Sequence, residues 1–350
     1  MKNLWQRITH WETWPFHVIY APLGFLWLYY SIRCGWFWFF SNVDPTLEFS
    51  GFEGDSKEPM YRQLPKELYP VTIFIQPNQI FENIMRQLQD AGLSFPVAVK
   101  PDVGTQGLLF RKIENTEQLK KYHSIVAIRY LIQEMVELPL EVSVFHIRYP
   151  GEAKGKITGF IAKEYLHVVG DGKSSLLRLI QKHSKASALE TEHRQKHKQN
   201  LSKIIPEKEK YFLSITGNHN RGARFINHSN EIDERLLEVF DEISLQAKYF
   251  FYGRYDIKTT MIEDLKQGKN ISILEFNGTG AEPNHIYDCN MSYTQALQVI
   301  AQHWKDMYLI GRINYVKGIP YTNFWQGYKW LREANMHYRT IKKKDVELVL

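Results

Sequence analysis

Residues 271–283 read ISILEFNGTGAEP. The opening residues alternate as a strand, so Glu275 and Asn277 share one face while Leu274 and Phe276 share the other and can enter a core. A carboxylate on so apolar a strand is costly to desolvate unless a cation meets it. A second stretch, GRYDIK (253–258), sets Arg254 and Asp256 on one face in the same manner. If the two strands are neighbours, Asp256, Glu275 and Asn277 bring three oxygen ligands together with one guanidinium. Such hard oxygen donors suit Mg2+ (or Mn2+), which keeps several waters and borrows phosphate oxygens. An Arg254–Glu275 ion pair inside the sheet is the plainer reading of the same residues.

Working upstream, VAVKPDVGTQG (97–107) ends an apolar strand on Lys100 and runs into a loop holding Gly104 and Gly107. Glycines let backbone N–H groups approach phosphate oxygens, and a lysine there acts as a point charge. In QEMVELPLEVSVF (133–145), Gln133 and Glu134 end one strand and Glu141 begins the next. The connection around Val136 can offer backbone groups to adenine, and Glu141 a carboxylate to ribose. Lys163, in IAKEY, projects from a later strand as a second phosphate ligand, or as an ion-pair partner of Glu141 or Glu164. The only GKS, Gly172-Lys173-Ser174, is no Walker A loop, because His167 stands where the first glycine is needed. His193 and His197 have metal-like i,i+4 spacing but lack the zincin glutamate, so residues 182–203 read as a solvated charged helix. The strands expected over 71–76, 108–113 and 211–218, and the helices over 80–92 and 233–250, complete an α+β pattern.

The chain has 350 residues, net charge +6 and two cysteines, Cys34 and Cys289, without metal spacing. The positive balance suits anionic partners such as nucleotide phosphates or a membrane surface. No nucleic-acid motif or compact basic–aromatic stripe is present. Six of the nine tryptophans, including Trp5, lie in the first 40 residues. The run WPFHVIYAPLGFLWLYYSIRCGWFWFF is aromatic, interrupted by Pro22 and Gly24, and reads as a membrane-interface hairpin or short anchor. An aromatic helix packed on the protein's own core is the alternative. The aromatics Phe324, Trp325, Tyr328 and Trp330 of the helical C-terminal part read first as core.

In this order VAVKPDVGTQG, IQEMVELPLEVSVF, IAKEYLHVVGDGKSSLLRLI, GRYDIKT and ILEFNGTGAEP resemble the ATP-grasp superfamily, in its carboxylate–amine ligase branch of the D-alanine–D-alanine ligase and cyanophycin synthetase type. The resemblance covers roughly residues 95–290 and implies two α+β subdomains gripping ATP. It implies nucleotide contacts from Lys100, Gly104, Gly107, Gln133, Glu134, Val136, Glu141 and Lys163, and magnesium on Asp256, Glu275 and Asn277. It implies Arg254 and Lys163 beside the transferred phosphoryl group. SITGNHNRGARF (214–225) resembles the strand and loop near the acyl phosphate, which makes Asn218, His219 and Arg221 candidates, Arg221 as a catalytic residue. The proton acceptor is open, with His219 and His285 as candidates. The expected division is 1–45 aromatic segment, 46–94 reduced substrate region, 95–290 ATP-grasp domain (small subdomain 95–135, large 136–290) and 291–350 C-terminal helices. Lys57 and the loop 51–57 are expected to assist substrate binding. The implied activity is ATP-dependent joining of a small-molecule or lipid-linked carboxylate to an amine, in the cytoplasm or peripherally at the inner face of the membrane. The alternatives are phosphoryl transfer to another acceptor and non-catalytic nucleotide binding at a membrane.

Overall fold

The computed structural model describes residues 10–348; Trp5 lies outside them. Strands β1 (Thr72–Ile75), β2 (Val97–Pro101), β3 (Arg111–Ile113) and β4 (Tyr130–Glu134) form an antiparallel sheet in the order β1-β4-β2-β3. The helices Phe81–Asp90 and Thr116–Val126 cover it. Ile84 and Leu88, one turn apart, and Leu119, Tyr122 and Val126 supply the buried stripes that meet Val97, Val99 and Ile132. The second helix starts where Asn115 accepts a hydrogen bond from the Gln118 N–H.

Strands β5 (Leu140–Ile147) and β6 (Lys156–Glu164) begin a larger sheet. After a two-stranded ribbon of β7 (His167–Val169) and β8 (Lys210–Phe212), the sheet is completed by β9 (Arg224–Asn227), β10 (Tyr252–Thr259) and β11 (Ser272–Asn277). Its order is β11-β10-β5-β6-β9. The helix Glu234–Gln246 buries Leu236, Phe240 and Ile243 beneath it, against Val142, Phe160, Tyr255 and Ile273. The two sheets face each other across a cleft, the clasp that the resemblance implies.

Three expectations change. β1, expected in the 46–94 region, pairs with β4 and is an edge of the small sheet. The stretch 182–203 is not one helix but Ser184–Ser187, Glu190–Lys196 and a 3-10 turn at Lys198–Asn200, since it lacks a continuous apolar stripe to bury. The strands expected over 108–113 and 211–218 shrink to Arg111–Ile113 and Lys210–Phe212, because the rest becomes the loops that close over the cleft.

The aromatic N-terminal segment is divided, one side packed into the core and Phe16, Phe25, Leu28, Tyr29 and Ile32 exposed. The helix Gly24–Cys34 lies against the long helix Tyr293–Val316, with Tyr30 stacked on Tyr308 at 4.8 Å and Trp27 edge-on to Trp304 at 5.3 Å. Phe39 and Phe40 are fully buried, and Trp38 stacks on Phe324 at the start of the helix Phe324–Glu347. Among the described residues no helix is long and apolar enough to cross a membrane.

Candidate active site

β10 and β11 are neighbours, and their register sets Asp256 opposite Glu275 and Arg254 opposite Asn277. On the other side β5 sets Ser143 opposite Asp256 and Glu141 opposite Lys258. Asp256 is the hub. It accepts from Arg254 Nε and Nη2, both at 3.1 Å, from Lys163 Nζ at 3.0 Å, from Asn277 Nδ2 at 3.2 Å and from the Ser143 hydroxyl. Burial pushes its pKa up, but Arg254 and Lys163 outweigh that and hold it well below the usual carboxylate range. Lys163 also meets Glu141 at 3.1 Å, and against the cost of burial these two carboxylates keep it protonated beyond its ordinary range.

The cation that meets Glu275 is Lys57, at 3.0 Å. Lys57 starts the helix Lys57–Gln63, whose N-cap Ser56 accepts from the Glu58 N–H, and its own N–H donates to Asp102 at 2.9 Å. Lys100 reaches from β2 of the small sheet across to the Leu274 carbonyl of β11 at 3.0 Å. Burial lowers its pKa to about 8, offset in part by Glu275. The loop 50–52 lies on the loop after β11, with Thr279 N–H to Ser50 O at 2.9 Å and Gly280 N–H to Gly51 O at 3.0 Å. A Cβ on Gly280 would stand 1.8 Å from the Phe52 carbonyl oxygen, so only glycine permits this approach.

Between the sheets lies a cavity of about 1060 Å3. Lys57, Lys100, Gly104, Gly107, Gln133, Glu134, Val136, Glu141, Lys163, Arg254, Asp256, Glu275 and Asn277 all line it, as do Asn218 and His219. The glycine loop and the 214–218 loop meet above it: a Cβ on Gly107 would lie 3.6 Å from Thr216, and one on Gly217 would strike Glu141 and Lys163. Gln133 donates to Tyr61 and Thr72, and the Val136 carbonyl accepts from Lys258 at 2.9 Å.

Two candidates stand elsewhere. Arg221 does not line the cavity; it pairs with Glu192 and with Asp345 at 3.4 Å and donates to the Gln106 carbonyl at 3.2 Å, which clasps the glycine loop to the C-terminal helix. His285 does not line the cavity; it is buried behind His303, which does, with ring centroids 5.8 Å apart. His193 is buried and its ring nitrogens have no partner, while His197 bonds Tyr211 and the Leu213 carbonyl. The two do not form a metal site with any third ligand among the described residues.

The far end of the cavity was not foreseen. Trp14, Phe16, Tyr20 and Trp27 wall it together with Tyr287 and Trp304. There Glu282 accepts from the hydroxyls of Tyr20 and Tyr287 at 3.0 and 3.1 Å, and its backbone carbonyl accepts from Arg254 at 3.2 Å. Glu282 sits seven residues after Glu275 in the opening stretch, close enough to the candidate ligands to have been a clue.

No family model and no curated protein matches the chain. Among solved structures, a bifunctional glutathione synthetase from Pasteurella multocida is similar at 17% identity and a TM-score of 0.39, over 71% of this chain and 36% of that one. A D-alanine–D-alanine ligase from Bacillus anthracis, in a complex with ATP, is 12% identical with a TM-score of 0.42, over 77% of this chain and 71% of its own. The VanG D-Ala:D-Ser ligase from Enterococcus faecalis is likewise 12% identical with a TM-score of 0.42, over 73% and 64%. The chain thus spans about a third of the bifunctional synthetase and roughly two thirds of the ligases. At this distance the chemistry of the cleft rests on its own side chains.

Proposed function

We propose that the protein is an ATP- and Mg2+-dependent ligase that activates a carboxylate as an acyl phosphate and joins it to an amine. The observation that carries this reading is the placement of Asp256, Glu275 and Asn277 side by side on two paired strands, with Lys163 beside them on the same sheet and Lys100 reaching over from the small sheet. The donor set fits a divalent ion: all three residues offer oxygen, and Asp256 and Glu275 are held ionised by the surrounding cations. When bound there, the ion supplies charge neutralisation for phosphate oxygens.

The chain's own groups account for the rest. Lys100, Lys163 and Arg254 spread the charge that develops on the transferred phosphoryl group, and Leu274 O, Glu141 and Asp256 hold them at the cleft before it forms. The glycine loop 104–107 and the 214–218 loop exclude water that would hydrolyse an acyl phosphate. Glu141 and the 134–136 connection line the cavity, and on this reading they take the ribose hydroxyls and the adenine. Glu282 and His219, both in the cavity, are placed to take the proton that the attacking amine gives up. On this reading the enzyme works in the ATP-rich cytoplasm, in peripheral contact with the membrane through its N-terminal segment, on small-molecule or lipid-linked substrates.

The test is incubation of the purified protein with ATP, Mg2+ and a fractionated cell extract, followed by mass spectrometry. ADP, phosphate and a new amide are expected. A stable phosphorylated acceptor in place of an amide would favour phosphotransfer, and no nucleotide turnover with any fraction would overturn the enzyme reading.

A further inference from the structure

The helix Gly24–Cys34 is apolar on most of its surface, with Arg33 its one charged residue, in the last turn. Its inward residues Trp27, Tyr30 and Cys34 join the aromatic core. Its outward residues Phe25, Leu28, Tyr29 and Ile32 follow i, i+3, i+4, i+7 spacing and so form one stripe. They are 86, 52, 53 and 70% exposed. A helix apolar on most of its surface is normally covered on most of it, and a contiguous exposed apolar row marks an interaction surface. Past the end of this helix the surface continues: Phe37 touches Phe324 at 5.4 Å, and Phe324 touches Trp325, itself 74% exposed. The C-terminal aromatics that the sequence assigns first to a core are therefore divided, Trp325 and Tyr328 standing more than half outside and Phe324 nearly so.

The charge around this face is mostly positive, with Glu333 beside Lys329 the exception. Residues 15–43 and 307–332 contain Arg33, Arg312, Lys317, Lys329 and Arg332 and no Asp or Glu. All five cations are exposed. Arg312 lies close enough to Cys34, at the helix end, to lower its thiol pKa against the rise that burial causes. A second copy of this chain would bring the same cations against them, which disfavours self-association. Aromatic rings with an arginine and lysine rim match the headgroup zone of an anionic bilayer.

We infer that the stripe Phe25, Leu28, Tyr29 and Ile32, extended by Phe37 and Trp325, docks on an anionic lipid bilayer. The segment that carries the stripe also walls the far end of the cavity with Phe16, Tyr20 and Trp27. Docking there holds that end at the lipid surface, where a bilayer-borne amphiphile can present its polar head to the cleft. This last consequence rests on the ligase reading; the docking does not.

Flotation of the full chain with vesicles, run without nucleotide, separates the two. Binding to phosphatidylcholine–phosphatidylglycerol vesicles is expected, with weak binding to pure phosphatidylcholine and release by high salt. The Phe25→Glu/Ile32→Glu variant is expected to bind the mixed vesicles at least about tenfold less, with unchanged melting temperature and unchanged affinity for a fluorescent ATP analogue. Absence of binding to the anionic vesicles, or equal binding by the folded variant, overturns the inference. So does a concentration-dependent dimer in sedimentation equilibrium that the variant abolishes, which would assign the face to a second copy.

Discussion

Replacing Asp256 with asparagine tests the centre of the site. The carboxylate takes two bonds from Arg254, one from Lys163, one from Asn277 and one from Ser143. All are largely buried: the side chains of Asp256, Arg254 and Lys163 are 10, 18 and 6% exposed. Asparagine keeps one oxygen but turns an N–H group toward Arg254 and leaves two cations short of an anion. Breaking a buried pair by removing one partner costs about 3–5 kcal/mol. Because Lys163 retains Glu141 and Arg254 retains the Glu282 carbonyl, the low end applies, about 3 kcal/mol. Ordinary domains have about 5–15 kcal/mol in hand, so the variant stays folded. With an unfolding entropy of about 2.1 cal/mol/K per residue, about 3 kcal/mol lowers the midpoint of a 350-residue chain by roughly 4 °C. ATP turnover should be lost as well. Differential scanning fluorimetry and an ADP-release assay read the two effects. Adding Lys163→Met should recover part of the stability and none of the turnover, which distinguishes a role in chemistry from one in folding alone. A melting temperature equal to the parent's would refute the buried hub, and retained turnover would refute the site.

The pH dependence of nucleotide binding should report Lys100. Burial lowers its pKa to about 8, so in the free protein it loses its proton as pH rises through that value. The unfolded chain holds the proton to the ordinary 10.5, so this group adds stability, not loss, as pH climbs between the two values. ATP affinity runs the other way: by calorimetry it should weaken about tenfold per pH unit above pH 8 and lose that slope in Lys100→Met, and an unaltered slope would exonerate Lys100. Gly280→Ala must separate the two loops that meet at Phe52 O, costing about 2–3 kcal/mol through the lost Thr279 and Gly280 hydrogen bonds; Gly24→Ala, with open space around its Cβ, is the control and should be neutral or slightly stabilising in the same melts. Arg221→Ala should raise the KM for ATP and speed hydrogen exchange over 103–107, with little change in melting temperature, since it frees the Gln106 carbonyl.

The centre of the site was legible because it is local. Two strands each carrying polar groups at i and i+2 need only be neighbours for Arg254, Asp256, Glu275 and Asn277 to converge, and β10 and β11 are. What was not legible is closure at long range. Nothing near Lys57 announces that it will meet Glu275, because the pairing depends on the loop 50–52 seating against Gly278 and Gly280. Arg221 reads like a ligand from its Gly-flanked loop, and only the packed chain brings Glu192 and Asp345 to neutralise it. The stretch 182–203 looks helical because charged residues favour helix, but a polar segment has no stripe to hold it straight. The N-terminal segment defeats periodicity for the opposite reason: where most of the surface is apolar, spacing cannot say which side faces inward.

The charge balance of the cleft bears on why a metal is part of the proposed reading. In its middle, Lys57, Lys100, Lys163 and Arg254 face Glu141, Asp256, Glu275 and Glu282, which leaves no cation in excess. A triphosphate brings several negative charges, and in so enclosed a space each uncompensated one is expensive. The protein's cations are already committed: Lys57 to Glu275, Lys163 to Glu141 and Asp256, Arg254 to Asp256. They can turn to phosphate oxygens only if another positive charge takes over the carboxylates they release. On the proposed reading Asp256, Glu275 and Asn277 would hold a divalent ion whose charge would replace that of Arg254 and Lys57 at Asp256 and Glu275, while Lys163 keeps Glu141. Asp256 and Glu275, which pair with these cations, are thus also the acids whose oxygens suit the ion, and nucleotide affinity should depend steeply on magnesium while that of adenosine, which carries no phosphate, should not.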